Sequence, residues 1–180
     1  HFGVTRVEIG VQSVFNEVLK KNNRGHDVSK TVRATKLLKE AGFKVIYHMM
    51  PGLPGSSYEK DLASFKKIFS DPQFCPDQVK IYPCVVTKGS QLYSWYKNGD
   101  FKPLQGGKLK KLLLEIKRIV PHWVRIIRVI RDIPSESIVA GNKVNNLRQL
   151  LREDLEEADF DCVCIRCREV RENPKNDELQ

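Results

Sequence analysis

The chain has no apolar run approaching the roughly 20 residues that a membrane span needs. Its hydrophobic fraction is an ordinary 41%. It shows no signal-peptide pattern, and Thr5 to Val11 already alternates as a strand. Cysteine is sparse and odd in number, five in 180 residues, which leaves one unpaired and argues against a disulfide framework. No Walker-type lysine follows its glycine-rich loop, which argues against a nucleoside triphosphate site. The location these absences imply is cytoplasmic, with no membrane partner. The start at His1 and the polar run from Asn173 to Gln180 read as the two ends of a piece of a longer protein.

Acid is nearly missing from one segment and concentrated in another. Phe101 to Arg131 holds nine Lys or Arg against a single acid, Glu115, while Glu153 to Asp161 holds six acids and no base. Either run could be a solvated helix face. Gathering nearly the whole net charge of +9 into one segment favours a polyanion partner, nucleic acid first. Lys108, Lys110, Lys111, Lys117 and Arg118 fall on an expected helix and are expected to face solvent. Arg125 and Arg128 follow on an expected strand, where residues three apart alternate faces, yet both suit phosphate contacts.

What is present is most informative at Cys162-Val163-Cys164-Ile165-Arg166-Cys167. Three thiolates in a C-x-C-x-x-C spacing point to one soft ion, zinc, in a tetrahedral site. Binding it offsets the cost of ordering a short charged segment. The fourth ligand is open: His26, His122, a water or a residue outside the chain.

Hydrophobic periodicity sets out the rest. Thr5 to Ser13 alternates as a strand. Asp27 caps a helix to Ala41 that carries Val28, Val32 and Leu38 and stops at Gly42. Phe43 to Met50 is a second strand, followed by the rigid loop Pro51 to Gly55. Ser56 and Glu59 form a capping box for a helix with Leu62, Phe65 and Phe69. A third strand is expected over Gln78 to Val86, helices over Ser90 to Lys97 and Lys108 to Val120, and a fourth strand over Trp123 to Ile130. Asn145 or Asn146 caps a last helix bearing Leu147, Leu150, Leu151 and Leu155. Strands alternating with helices give an α/β fold with parallel β/α units.

One face of each early strand is polar where a buried parallel strand should be apolar. Arg6, Glu8 and Gln12 share a face of the first strand. His48 lies with Ile46 and Met50 on the second, and Lys80, Tyr82 and Cys84 on the third. This predicts a partial barrel whose interior is a site, with Gln12, Ser13, the Met50 to Gly55 loop and Cys84 to Lys88 at the chemically active strand ends. A carboxylate at Glu8 needs a partner, either Arg6 or a bound cation. His48 fits a core histidine as well as a ligand or base. The glycines of the loop fit a tight turn as well as a close approach to a ligand.

Taken in order, RVEIGVQS (6–13), NRGH (23–26), LLKEAGFKV (37–45), YHMMPGLPG (47–55), KIYPCVV (80–86), RVIRDIP (128–134), NLRQL (146–150) and CVCIRCREV (162–170) resemble the Elongator catalytic subunit family and its single-chain archaeal and bacterial relatives. The resemblance spans nearly the whole chain. It implies a radical S-adenosylmethionine enzyme that modifies the wobble uridine of tRNA with acetyl-CoA. In that family a deoxyadenosyl radical activates the acetyl group for addition to uracil, leading to a carboxymethyl product. The implied fold is the second half of a radical S-adenosylmethionine β/α barrel over 1–140, a helix and zinc linker over 141–172, and a polar linker over 173–180. The CxxxCxxC that holds the family's iron–sulfur cluster is absent and expected upstream of His1. The acetyltransferase domain is expected beyond Gln180, so the fragment alone should be inactive and depend on the remainder of the same polypeptide. With strand parity, the resemblance assigns Glu8, Gln12, Ser13, His48, Pro51, Gly52 and Gly55 to S-adenosylmethionine, and Lys80 and Tyr82 to the reacting centre. Two rival readings stay open: a zinc-stapled tRNA-binding module without its own catalysis, and another radical S-adenosylmethionine enzyme.

Overall fold

Alternation decides the sheet. In the computed structural model, which describes residues 3–130, 133–144 and 146–170, the strands are β1 (Arg6–Gln12), β2 (Lys44–Met49), β3 (Gln78–Ile81), β4 (Val86–Thr87), β5 (Arg125–Arg128) and β6 (Ile138–Ala140). Four of them form one sheet in the order β1-β2-β3-β5, and every pairing in it is parallel. Parallel neighbours need crossover connections. These come from α1 (Asn16–Lys21), α2 (Val28–Glu40), α3 (Tyr58–Ser70), α4 (Gln91–Lys97) and α5 (Gly106–Ile119), while α6 (Leu147–Glu157) follows the last strand.

Every second strand residue joins one core. Val45, Tyr47 and Met49 of β2, Val79 and Ile81 of β3 and Ile126 of β5 pack with Phe65 and Ile68 of α3 and with Leu109, Leu112, Leu113 and Ile116 of α5. The helical residues recur at three and four, as an amphipathic helix requires. Leu147, Leu151 and Leu155 of α6 close the same core, together with Cys162 and Cys164. The α/β architecture with a parallel sheet is as expected, and within the described residues it is an open four-stranded sheet. Among those residues no helix is long and apolar enough to cross a membrane.

Several boundaries differ from the sequence reading. The third strand stops at Ile81, because Pro83 cannot donate to a ladder. Beyond it Val86 and Thr87 pair antiparallel with β6, over a small cluster of Val18, Leu53, Cys84 and Phe101. Cys84 is therefore buried under the loops and does not share the face of Lys80. The cap of α3 is Ser57, whose hydroxyl accepts from the Lys60 amide at 3.2 Å. Ser56 instead donates to Asp61. The stop at Gly42 holds: its φ is +82°, and the Gly42 and Phe43 amides return to Lys39 and Leu38. The fourth strand is shorter, α5 starts at Gly106, and Asn146 flanks α6 without a side-chain cap bond. Helix α1 and strand β6 were not anticipated. Arg131, Asp132, Asn145 and the polar linker 173–180 lie outside the described residues.

Leu112 is fully buried between sheet and helices. Leu112→Ala should therefore cost about 2–5 kcal/mol, read as a lower urea midpoint at constant slope. Lys108→Ala, at an exposed position of the same helix, should stay within about 0.5 kcal/mol.

Candidate functional site

The polar face of the sheet is held together by one carboxylate. Register places His48 of β2 directly opposite Lys80 of β3 and Glu8 of β1 opposite Ile46. Side chains of one parity then meet on one side. Lys80 Nζ donates to both Glu8 oxygens at 2.6 and 2.7 Å. His48 Nε2 bonds to the Glu8 Oε2 atom. The Tyr82 ring stands edge-on to His48, with centroids 5.4 Å apart. The hydrogen bond from Lys80 chiefly holds the Glu8 carboxyl below the usual carboxylate range; desolvation opposes it and His48 adds to it. The partner expected for Glu8 was Arg6 or a bound cation, and the structure puts Lys80 there instead. A same-face neighbour two residues along the strand lies about 7 Å away, whereas a long lysine reaches across the sheet. Lys80 is thus committed to Glu8. Glu8, His48, Lys80 and Tyr82 form one constellation beside an open cavity of about 530 Å³ that extends to Arg6 and Gln78.

The strand ends are rigid. Gln12 has φ +68° at a register slip in β1, and its carbonyl accepts from Met50 N at 2.9 Å. Ser13 is buried, and its hydroxyl accepts from the Phe15 amide. In the loop after β2, Gly52 and Gly55 have φ of +80° and +85°. A Cβ on either would sit 2.9 Å from Leu104 or Lys21, so both glycines answer to conformation and to packing. The Pro51 carbonyl accepts from Cys84 N at 2.9 Å.

The sequence reading missed Asp61. It is 4% exposed on the apolar side of α3. Its two oxygens accept from Gly52 N at 2.7 Å and from the Ser56 hydroxyl at 2.5 Å. The Gly52 amide is therefore already taken. Burial pushes the Asp61 carboxyl up to about 6, against the pull of those two bonds. Burial, with Asp61 nearby, pushes the Cys84 thiol up to about 12. An acid four residues before Phe65, on the stripe that also carries Ile68, is the signal that marks Asp61.

The three cysteines converge as their spacing predicts. Their sulfurs lie within 4.8 Å of one another, and among the described residues no His, Asp or Glu joins them. Zn–S bonds of 2.3 Å at tetrahedral angles put sulfurs about 3.8 Å apart, so the set fits such an ion. The neighbouring sulfurs drive the Cys164 thiol far below its usual range and the Cys162 thiol far above it. His26 lines a separate cavity with Lys20, Arg24 and Lys30, and exposed His122 contributes its carbonyl to Arg168, so neither completes the cluster. The nearby group is Lys117, which is 3% exposed with Nζ 3.6 Å from Cys167 Sγ.

That burial removes Lys117 from the expected solvent-facing set. Its position on α5 turns it toward the cysteines, not outward. Lys110 is half-buried and bonds Asp154 at 2.7 Å, so the acidic run offsets part of the basic one. Lys111 lies over the Tyr58 ring and Arg118 over Phe160. Arg125 pairs with Glu169 at 3.0 Å. Lys108, Lys111, Arg118 and Arg128 remain exposed.

Comparison with known proteins adds context to this geometry. Residues 1–67 match the Radical SAM superfamily and residues 76–157 the Radical SAM C-terminal domain. The chain is 52% identical to the tRNA uridine(34) acetyltransferase of Methanocaldococcus infernus over 93% of its own length and 32% of that protein's. It is 41% identical to human Elongator complex protein 3, covering 94% of this chain and 31% of that one. A solved structure of the Methanocaldococcus infernus Elp3 with an N-terminal deletion superposes with a TM-score of 0.88 at 51% identity, over 92% of this chain and 39% of that chain. The chain spans about a third of the length of the curated relatives it matches.

The raised carboxyl of Asp61 has a pH consequence. A folded value of about 6 against 3.8 means the native state binds the proton more tightly than the unfolded chain. Its contribution is complete below about pH 4 and is lost as pH rises through about 6. Asp61→Asn should remove this component from the pH–stability profile, leaving a smaller loss of stability than wild type between pH 4 and 7 in urea titrations. Parallel profiles would show that Asp61 does not titrate there.

Proposed function

The chain belongs to the radical SAM superfamily, and on that premise we propose that it is the second half of the radical domain, with its metal linker, of a tRNA uridine(34) acetyltransferase. The observation that carries this reading is the cluster of Glu8, His48, Lys80 and Tyr82 on the sheet's polar face, in a chain whose relatives carry that name. The substrates are a tRNA and acetyl-CoA, the location is cytoplasmic, and the rest of the polypeptide supplies the acetyl-CoA site and the ligands of an iron–sulfur cluster. S-adenosylmethionine, when bound with that cluster, supplies the radical chemistry.

This chain's own residues position and shield. Gln12, Ser13 and the Pro51 to Gly55 backbone form a stiff rim at the strand ends, braced by Asp61. Glu8 and His48 present a carboxylate and an imidazole from the sheet face toward the cofactor. Lys80 keeps Glu8 ionised and leaves a fixed positive charge beside it. Tyr82, against His48, places a hydroxyl at the end of this row. The exposed Lys108, Lys111, Arg118 and Arg128 are assigned to tRNA phosphates, with Lys110 and Arg125 partly engaged by acids of the chain itself.

The full-length, cluster-loaded protein tests the reading. Glu8→Ala should lower deoxyadenosine formation. Tyr82→Phe should lower uridine modification while tRNA affinity stays level. Wild-type modification by Tyr82→Phe would reduce Tyr82 to a packing residue, and wild-type deoxyadenosine formation by Glu8→Ala would remove Glu8 from the cofactor.

The metal of Cys162, Cys164 and Cys167 is zinc in this proposal, since three soft thiolates select it. Elemental analysis should find about one zinc per chain, and Cys164→Ser, at the most buried sulfur, should lose it. A stably folded wild-type protein without metal would sink the assignment.

A further inference from the structure

The polar face has a second end. Arg6, Gln78 and Arg125 begin β1, β3 and β5. They line one cavity of about 530 Å³, into which Arg166 also reaches. Strand β1 is seven residues long, so Arg6 and Gln12 are about 20 Å apart. This end is therefore remote from Gln12 and the loop rim, while Glu8 and Lys80 line the same cavity midway along the sheet.

The charges here do not cancel. Glu8 is engaged by Lys80 and His48, and Glu169 is engaged by Arg125. Among the described residues neither Arg6 nor Arg166 has an acidic partner, and the Nε of Arg166 is buried without an acceptor. A buried donor left unsatisfied costs about 1–3 kcal/mol. Guanidinium forks match phosphate oxygens in geometry and charge.

Arg166 is carried there by the cysteine loop. It lies between Cys164 and Cys167. The Ile165 amide bonds to the Val124 carbonyl at 3.0 Å, Glu169 pairs with Arg125, and Arg168 donates to the His122 carbonyl at 2.7 Å. Gathering the three sulfurs therefore docks the loop along the start of β5 and turns the residue between them into the cavity.

We propose that Arg6 and Arg166, flanked by Arg125, form a binding subsite for a backbone phosphate of an RNA substrate, and that the cysteine cluster serves this subsite by fixing Arg166. The inference rests on the reading of the protein as a tRNA-modifying enzyme. A polyanionic strand suits it because the acids around the cavity are already engaged and the whole chain carries +9.

The test uses the full-length protein with its metal. Affinity for an anticodon stem-loop RNA is measured across a salt series for wild type, Arg6→Gln, Arg166→Gln and Arg166→Lys, with metal content recorded for each. Each glutamine variant should bind several-fold more weakly, and its slope of log affinity against log salt should fall by about 0.7–0.9. Arg166→Lys, which keeps the charge, should retain the wild-type slope. Arg6 sits on β1, away from the cysteines, so Arg6→Gln reports on the subsite even where Arg166→Gln loses metal. Unchanged affinity and slope in Arg6→Gln overturns the subsite while leaving the tRNA reading in place. A wild-type protein that binds no RNA at any salt overturns that reading, and the subsite with it.

Discussion

A strand in the middle of a parallel sheet is normally apolar on both faces, and β2 and β3 are not. His48 and Lys80 stand on the face opposite the core, and the Glu8 carboxylate makes that arrangement sustainable. Lys80 is only 18% exposed in its side chain. Without Glu8 it would be an ammonium with no counter-charge, and stranding one partner costs far more than the pair contributes. The constraint acts before any chemistry does. The Glu8–Lys80 bond spans β2, so it ties the height of β1 to that of β3 across a strand that contacts both. The same bond fixes where His48 and Tyr82 can stand.

The cysteine segment is a second constraint of this kind, and it works from outside the sheet. Lys117 on α5 is buried beside Cys167, and a buried ammonium needs negative charge next to it. Three thiolates around the proposed zinc ion would carry one net negative charge, which Lys117 would balance. Arg148 on α6, whose guanidinium donates to the Ile126 carbonyl at 2.6 Å, also feels the three sulfurs, and its proton is held less tightly because it is buried. Helices α5 and α6, strand β5 and the cysteine loop therefore meet around one charged cluster. The loop contributes to the core as well, since Cys162 and Cys164 pack with Leu151 and Leu155.

Much of this was legible because it follows from period and punctuation. The alternation in Val45 to Met49 and Val79 to Ile81 gave the strands and their faces, Gly42 the end of α2, and the C-x-C-x-x-C spacing the convergence of three sulfurs. Residues that depend on distant partners were not legible. Lys117 reads as one more lysine on a basic helix, and only the docking of the cysteine loop 50 residues later buries it. Lys110 reads as free until Asp154 arrives from α6. Glu8 signals a need for a partner, but two strands of sheet decide that Lys80 is the partner. Asp61 faces the core where periodicity expects a hydrophobe, and its role appears only when Gly52 and Ser56 fold back onto it. Ser57 and Ser56 are one residue apart, and local capping rules do not separate them.

The two parts of the site are stabilised by different physics, and this divides their tasks. The rim is held by buried hydrogen bonds: Gly52 and Ser56 to Asp61, Met50 to Gln12, and Cys84 to Pro51. Bonds of that kind are shielded from salt, and each becomes expensive when broken without replacement. The glycine conformations add to the rigidity, because a side chain at either position would be strained. The sheet face is held by ion pairs at partly open positions, with Glu8 43% exposed. An exposed pair contributes little, on the order of 0–1 kcal/mol, but Lys80 is largely buried and keeps Glu8 as its required counter-charge. A charged ligand arriving at the cavity would therefore find a rim whose shape is fixed in advance and a carboxylate whose open side faces it while its ammonium stays in place. Binding would leave both the backbone and this pair where they are, which is the arrangement that loses least affinity to ordering.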